Sequence, residues 1–209
     1  MRHIYILIVL SLISSFSLPA QSVKDRVLEN SFQDYYSGKT SVKANKITYR
    51  ITHISNRMVV LTNTGNHIYN ELPINRLTGE KIGRDRMPPI RFNDSNVCRI
   101  FAEELESISF GSYVFNEGKL RVLVCFDTDS GRVNEMEFTL YPKGEDKVLF
   151  SIPPTVFERI EQRLKEELVY SVEERFSYPS YYTDAFLVKI SKDKSITIRQ
   201  SSTPGNPPD

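Results

Sequence analysis

The sequence has no tryptophan, two cysteines and three histidines. Cys98, Cys125, His53 and His67 stand singly along the chain. No C-x-x-C or H-x-x-x-H spacing joins them, so neighbours in sequence cannot assemble a zinc site. No full Gly-x-x-x-x-Gly-Lys-Ser/Thr phosphate cradle is present; GEKIGRD at 79–85 lacks the Gly-Lys-Ser/Thr ending. No Gly-x-Ser-x-Gly elbow supports a serine hydrolase. An excess of one charge is also missing, because the formal net charge is +1. That balance gives no electrostatic footprint for nucleic acid or an anionic lipid surface. Beyond Leu18 no stretch is apolar enough to span a bilayer.

The one apolar run present is at the start. Arg2 and His3 precede the uncharged stretch Ile4–Leu18, and PAQS follows. A basic start, an apolar middle and small residues at the end make the three-part form of a secretory signal. Ala20 is the expected last residue removed, with Ser17 the alternative. The run is shorter than the ~20 residues a membrane span needs, and no cysteine marks a lipid-anchored terminus. Export to the periplasm or beyond follows. Residues 1–20 hold one charged side chain, Arg2, so cleavage takes the 27 basic residues to 26, equal to the 26 acidic ones. The remaining length suits one domain, or one with a small appendage.

Hydrophobic periodicity organises the rest into an α+β chain of antiparallel strands and two main amphipathic helices. Residues 21–93 form an N-terminal region. It begins with a short helix at 22–36 and a polar linker, SGKTSVKANK. A three-stranded meander follows over 46–72, ITYRITHI, MVVLTN and HIYNEL in turn. The proline-rich segment 73–93 closes this region as a long irregular loop. Residues 94–199 form an α+β domain. Its first helix covers about 94–109, with Val97, Ile100, Phe101, Leu105 and Ile108 at helical spacing and Asp94 or Ser95 as cap. Glu103, Glu104 and Glu106 lie off that face as solvated carboxylates. A turn at NEGK precedes a strand over Leu120–Phe126, and RVNEMEFTLY is its partner. The second helix covers about 153–171, with Phe157, Ile160, Leu164 and Leu168 as its apolar stripe. Pro153 and Pro154 fit its first turn, Thr155 and Glu158 have capping-box spacing, and Glu161 pairs with Lys165. Strands AFLVKI and SITIR follow. Residues 200–209 have no apolar anchor and are expected to be disordered.

Candidate chemistry is sparse. Asp127 and Asp129 invite comparison with a calcium loop, but Gly131 then occupies the fifth position and Phe138 the twelfth, where ligands belong. Asp, Ser and Gly between two alternating strands instead specify a hairpin turn. Glu135 and Glu137 share a strand face about 7 Å apart by strand rise. That lies between the separations of about 5 Å and about 9 Å that retaining and inverting glycosidases use. It makes a carboxylate hydrolase the alternative function. Tyr178, Tyr181 and Tyr182 suit either a small-ligand box or the edge of a core. Cys98 and Cys125 allow a disulfide contributing on the order of 3 kcal/mol, or two buried thiols. No cofactor and no metal is implied.

From Lys119 onward, LRVLVCFDTDSGRVNEMEF, VFERIEQRLKEEL and DAFLVKI form a hairpin, a helix and a further strand. This order resembles the C-terminal domain of TonB-like periplasmic proteins. The chain before it resembles secreted, uncharacterised proteins of Gram-negative anaerobes. The aspartate turn is one residue longer than the family's form, FSYPS replaces its Trp or Phe-Pro after the helix, and a Pro-rich spacer is lacking. The resemblance therefore implies a fold and a means of binding rather than energy transduction. An edge strand accepts a partner's strand, here at Ile196 and Ile198. The partner is unspecified, an envelope protein being the expectation.

Overall fold

Strand positions follow the alternation of β-branched and aromatic residues with polar ones. The computed structural model describes residues 33–55, 58–67, 71–82, 92–108, 110, 117–141, 148–174, 177–191 and 193–200. The segment read as a secretory signal, with Ala20, most of the helix expected at 22–36, residues 142–147 and the tail 201–209 lie outside these residues.

The strands are β1 (Ser41–Lys43), β2 (Thr48–Ser55), β3 (Met58–Asn63), β4 (Glu117–Asp127), β5 (Val133–Tyr141), β6 (Tyr181–Ser191) and β7 (Ile196–Gln200). They join in one antiparallel sheet of order β1-β2-β3-β5-β4-β6-β7. The helices are α1 (Asp94–Glu106) and α2 (Pro154–Glu167), with a 3-10 turn at Val148–Ser151. The architecture is α+β, and the sheet takes strands from both sides of residue 93.

Both helices lie on one face of the sheet. Leu120, Val122, Val124 and Phe126 of β4 share a single core with Val97, Ile100, Phe101 and Leu105 of α1 and Phe157, Ile160 and Leu164 of α2. Successive strand residues point to opposite faces. Lys119, Arg121, Leu123 and Cys125 therefore occupy the face away from the helices, as do their cross-strand partners on β5 and β6.

Several boundaries depart from the sequence reading. Helix α1 ends at Glu106. Helix α2 ends at Glu167 because Leu168 turns extended. Val169 then bridges Arg132, and the Tyr170 N–H donates to the Gly131 carbonyl at 2.8 Å. Tertiary pairing with the hairpin turn thus overrides the helical pattern through 171. No side chain caps α2: Thr155 and Glu158 form no box. Glu158 instead accepts the backbone N–H groups of Asn45 at 2.8 Å and Lys46 at 2.7 Å. The residues read as linker contain β1, and those read as the NEGK turn begin β4. Strand β6 starts at Tyr181, four residues before the AFLVKI read as strand. In HIYNEL, residues 68–70 lie outside the described set, and His67 and Glu71 are not strand.

Candidate functional site

Strand β7 forms one edge of the sheet. Its hydrogen-bond phase follows from its register. The Ser191 N–H donates to the Ser195 carbonyl at 3.0 Å, and the ladder pairs Ile190 with Ile196, Lys189 with Thr197, Val188 with Ile198 and Leu187 with Arg199. Antiparallel ladders alternate hydrogen-bonded with non-bonded pairs. Thr197 and Arg199 therefore turn their amides to β6, while Ile196, Ile198 and Gln200 turn theirs outward. The side chains of Ile196 and Ile198 are half-buried against the core. Two clips hold the strand over α1: Lys194 Nζ donates to the Glu106 carbonyl at 2.7 Å, and Gln200 Nε2 donates to Asp94 Oδ1 at 2.6 Å. The described part of the proline-rich loop lies elsewhere. Asn75 bridges Pro179, and the Arg76 N–H donates to the Tyr178 carbonyl at 2.7 Å.

The aspartate pair builds a hairpin turn. Asp127 Oδ1 accepts the N–H groups of Asp129 at 3.0 Å and Ser130 at 2.8 Å. Gly131 takes a φ of +67°, a region that favours glycine. A Cβ there would sit 2.2 Å from the Tyr170 carbonyl oxygen. Arg76 pairs with both aspartates, reaching Asp127 Oδ2 at 3.1 Å. Burial raises the Asp127 pKa, but the Ser130 and Asp129 donors and Arg76 outweigh it, so the net shift is downward. Arg76 was not singled out by sequence; its role needs the turn and the loop to be neighbours.

The other sequence candidates separate. Glu135 is buried and accepts the His67 N–H at 2.7 Å, while Glu137 accepts from Thr62 Oγ1 at 2.9 Å. Both carboxylates face away from the helices, and each is engaged by its own chain. Cys98 and Cys125 are not bridged to each other in the fold. Cys98 is half-buried on α1, whereas Cys125 is buried on the opposite face of β4. Burial, then Asp94, raises the Cys98 pKa. Tyr181 and Tyr182 point to opposite faces, so the tyrosines do not form one box. The Tyr181 hydroxyl donates to the Glu71 carbonyl. Tyr182 lies beside Phe126, with ring centroids 6.1 Å apart, and burial pushes its phenol up to about 12.

A buried polar pair is a feature that sequence reading missed. Asp184 and Tyr170 are 7% and 3% exposed. Asp184 Oδ2 and the Tyr170 hydroxyl have no hydrogen-bond partner among the described residues. Tyr170 stacks on Phe126 at 4.1 Å, and Phe92 packs against both Tyr170 and Phe186. Burial pushes the Asp184 carboxyl up to about 6, against smaller opposing effects of the Ala185 N–H and Arg121. Burial, then the charge of Asp184, raises the Tyr170 phenol. The signal was present: Tyr182, Phe186, Val188 and Ile190 alternate along β6, and Asp184 interrupts their apolar row. The group can hold or release a proton near neutral pH.

No protein-family model and no curated protein matches the sequence. Among solved structures, the fold is similar to the crystal structure of a DUF5043 family protein from Bacteroides uniformis. The TM-score is 0.51 at 20% identity, over 77% of this chain and 95% of that one. At that identity the likeness is one of fold, to a protein whose family name denotes a domain of unknown function.

Proposed function

We propose that this chain is an exported, non-catalytic binding protein of the cell envelope that takes up an extended segment of a partner at β7. The observation that carries the reading is the phase of the edge ladder: Ile196, Ile198 and Gln200 present outward amides on a strand already anchored to β6 and α1. Main-chain hydrogen bonds to such an edge supply affinity without a deep pocket. The N-terminal basic, apolar and small-residue pattern supports export. The chain order of β4, β5, α2 and β6 is the one that the TonB-like resemblance implies.

The test exploits the ladder phase. Proline at position 196 removes an outward donor and leaves the β6 hydrogen bonds in place, whereas proline at 197 removes a donor to β6. A pull-down from envelope extract is expected to enrich a partner with the wild-type chain and to lose it with Ile196→Pro, while thermal melting stays near wild type. Thr197→Pro is expected to lower the melting temperature. Undiminished capture by a folded Ile196→Pro chain would reject the edge as the site.

A further inference from the structure

We infer that the segment docking on β7 alternates apolar with acidic side chains; this rests on the edge reading above. The two faces beside β7 differ in chemistry. On the helix face Ile196 and Ile198 are half-buried and extend the core to the edge. A strand laid beside them gains from apolar residues at its own helix-face positions.

The opposite face is basic. One cross-strand row reads Arg121, Leu187, Arg199, and the next reads Lys119, Lys189, Thr197. Lys119 and Lys189 stand directly opposite each other, an arrangement that repels. They share one carboxylate oxygen, Glu117 Oε1, at 3.9 and 3.4 Å. Neither Arg121 nor Arg199 has an ion-pair partner among the described residues. On β4, β6 and β7 these four cations form a patch that reaches the edge strand, with Glu117 between the lysines and Glu137 of β5, which accepts from Thr62, one row from Arg121 on the inner side.

Register makes the patch selective. Ile196, Ile198 and Gln200 would form the hydrogen-bonded pairs with an incoming antiparallel strand. Thr197 and Arg199 would then lie in its non-bonded pairs, where opposed side chains stand closest. An acidic side chain facing Arg199 gains a direct opposite-charge pair, and one facing Thr197 shares a cross-strand row with Lys189 two strands away, roughly 10 Å by strand spacing. A second copy of this chain fits worse. Antiparallel pairing of β7 with itself brings two Arg199–Lys189 patches to one seam.

The experiment measures binding of blocked, fluorescent peptides to the folded chain lacking residues 1–20. The peptides share valine at alternate positions and carry glutamate, serine or lysine between. The glutamate peptide is expected to bind about fivefold tighter than the serine one, with lysine weakest. The spread should narrow at high salt, because exposed charges are screened. Arg199→Glu should reverse the order, and Ile196→Pro should abolish binding of all. Equal binding of the peptides that Ile196→Pro still abolishes would overturn the charge preference and leave the edge reading standing. Binding that Ile196→Pro leaves intact, or no binding by any peptide, would overturn both. A dimer dispersed by Ile196→Pro would assign the edge to a second copy and reject the acidic partner.

Discussion

Asp184 places a titratable group where water does not compensate its charge. An aspartate in the unfolded chain has a pKa near ~3.9, and the folded value is pushed up to about 6. Because the folded pKa is raised, the protonated form is the stable one in the core. The favourable difference is complete below the unfolded value and is lost as pH rises through about 6. Asp184→Asn cannot ionise and so escapes that loss. Relative to wild type, the variant is expected to gain up to about 3 kcal/mol between pH 4 and pH 8. Thermal melts across that range provide the check; parallel curves for the two proteins would refute the assignment. The rings of Phe92, Phe126, Tyr170 and Phe186 pack in one connected group that includes the phenol of the pair.

At the scale of elements, α2 is fastened to the first strands by two carboxylates. Glu158 holds the turn at Asn45 and Lys46. Glu161, 3% exposed, accepts from Tyr49 at 2.8 Å, Asn63 at 2.9 Å and Lys165 at 2.7 Å. Burial, then the charge of Glu161, raises the Tyr49 phenol. Glu161→Ala leaves two buried donors without acceptors and is expected to cost about 3 kcal/mol. Exposed Glu166→Ala should change stability by less than ~0.5 kcal/mol; denaturant titration of both variants measures the contrast. The Glu161–Lys165 pair was legible at its helical spacing, and so were the hairpin around Asp127 and the apolar stripe of α2. The long-range role of Glu158 was not. A capping box and a distant backbone clamp use the same residue type, and only the fold decides between them. The early end of α2 was hidden for the same reason, because the partners of Val169 and Tyr170 lie in the aspartate turn. Neither Asp184 nor Arg76 belongs to a local motif, and each acquires its role from segments far away in sequence.

At the scale of the molecule, the sheet unites what sequence composition divides. Strand β3 pairs with β5, from Val59 opposite Leu140 to Thr62 opposite Glu137. Residues 94–209 alone would expose that side of β5 and strand the Glu161 carboxylate away from Tyr49 and Asn63. That fragment is expected to melt without a cooperative transition or to aggregate, whereas residues 21–209 unfold in one step. Circular dichroism with heating decides, and a cooperative melt of the fragment would show that the first three strands are an accessory.

The strand order also sets a timetable. Strands β2 and β3 form a hairpin between near neighbours, but the side of β3 that meets β5 must wait for a segment made much later. Strand β4 in turn waits for β6, its longest partner. Closing such distant pairs costs chain entropy before any contact repays it, which slows assembly. Strand β3 therefore keeps an unpaired edge until β5 has been made, and such an edge is a template for pairing with another chain.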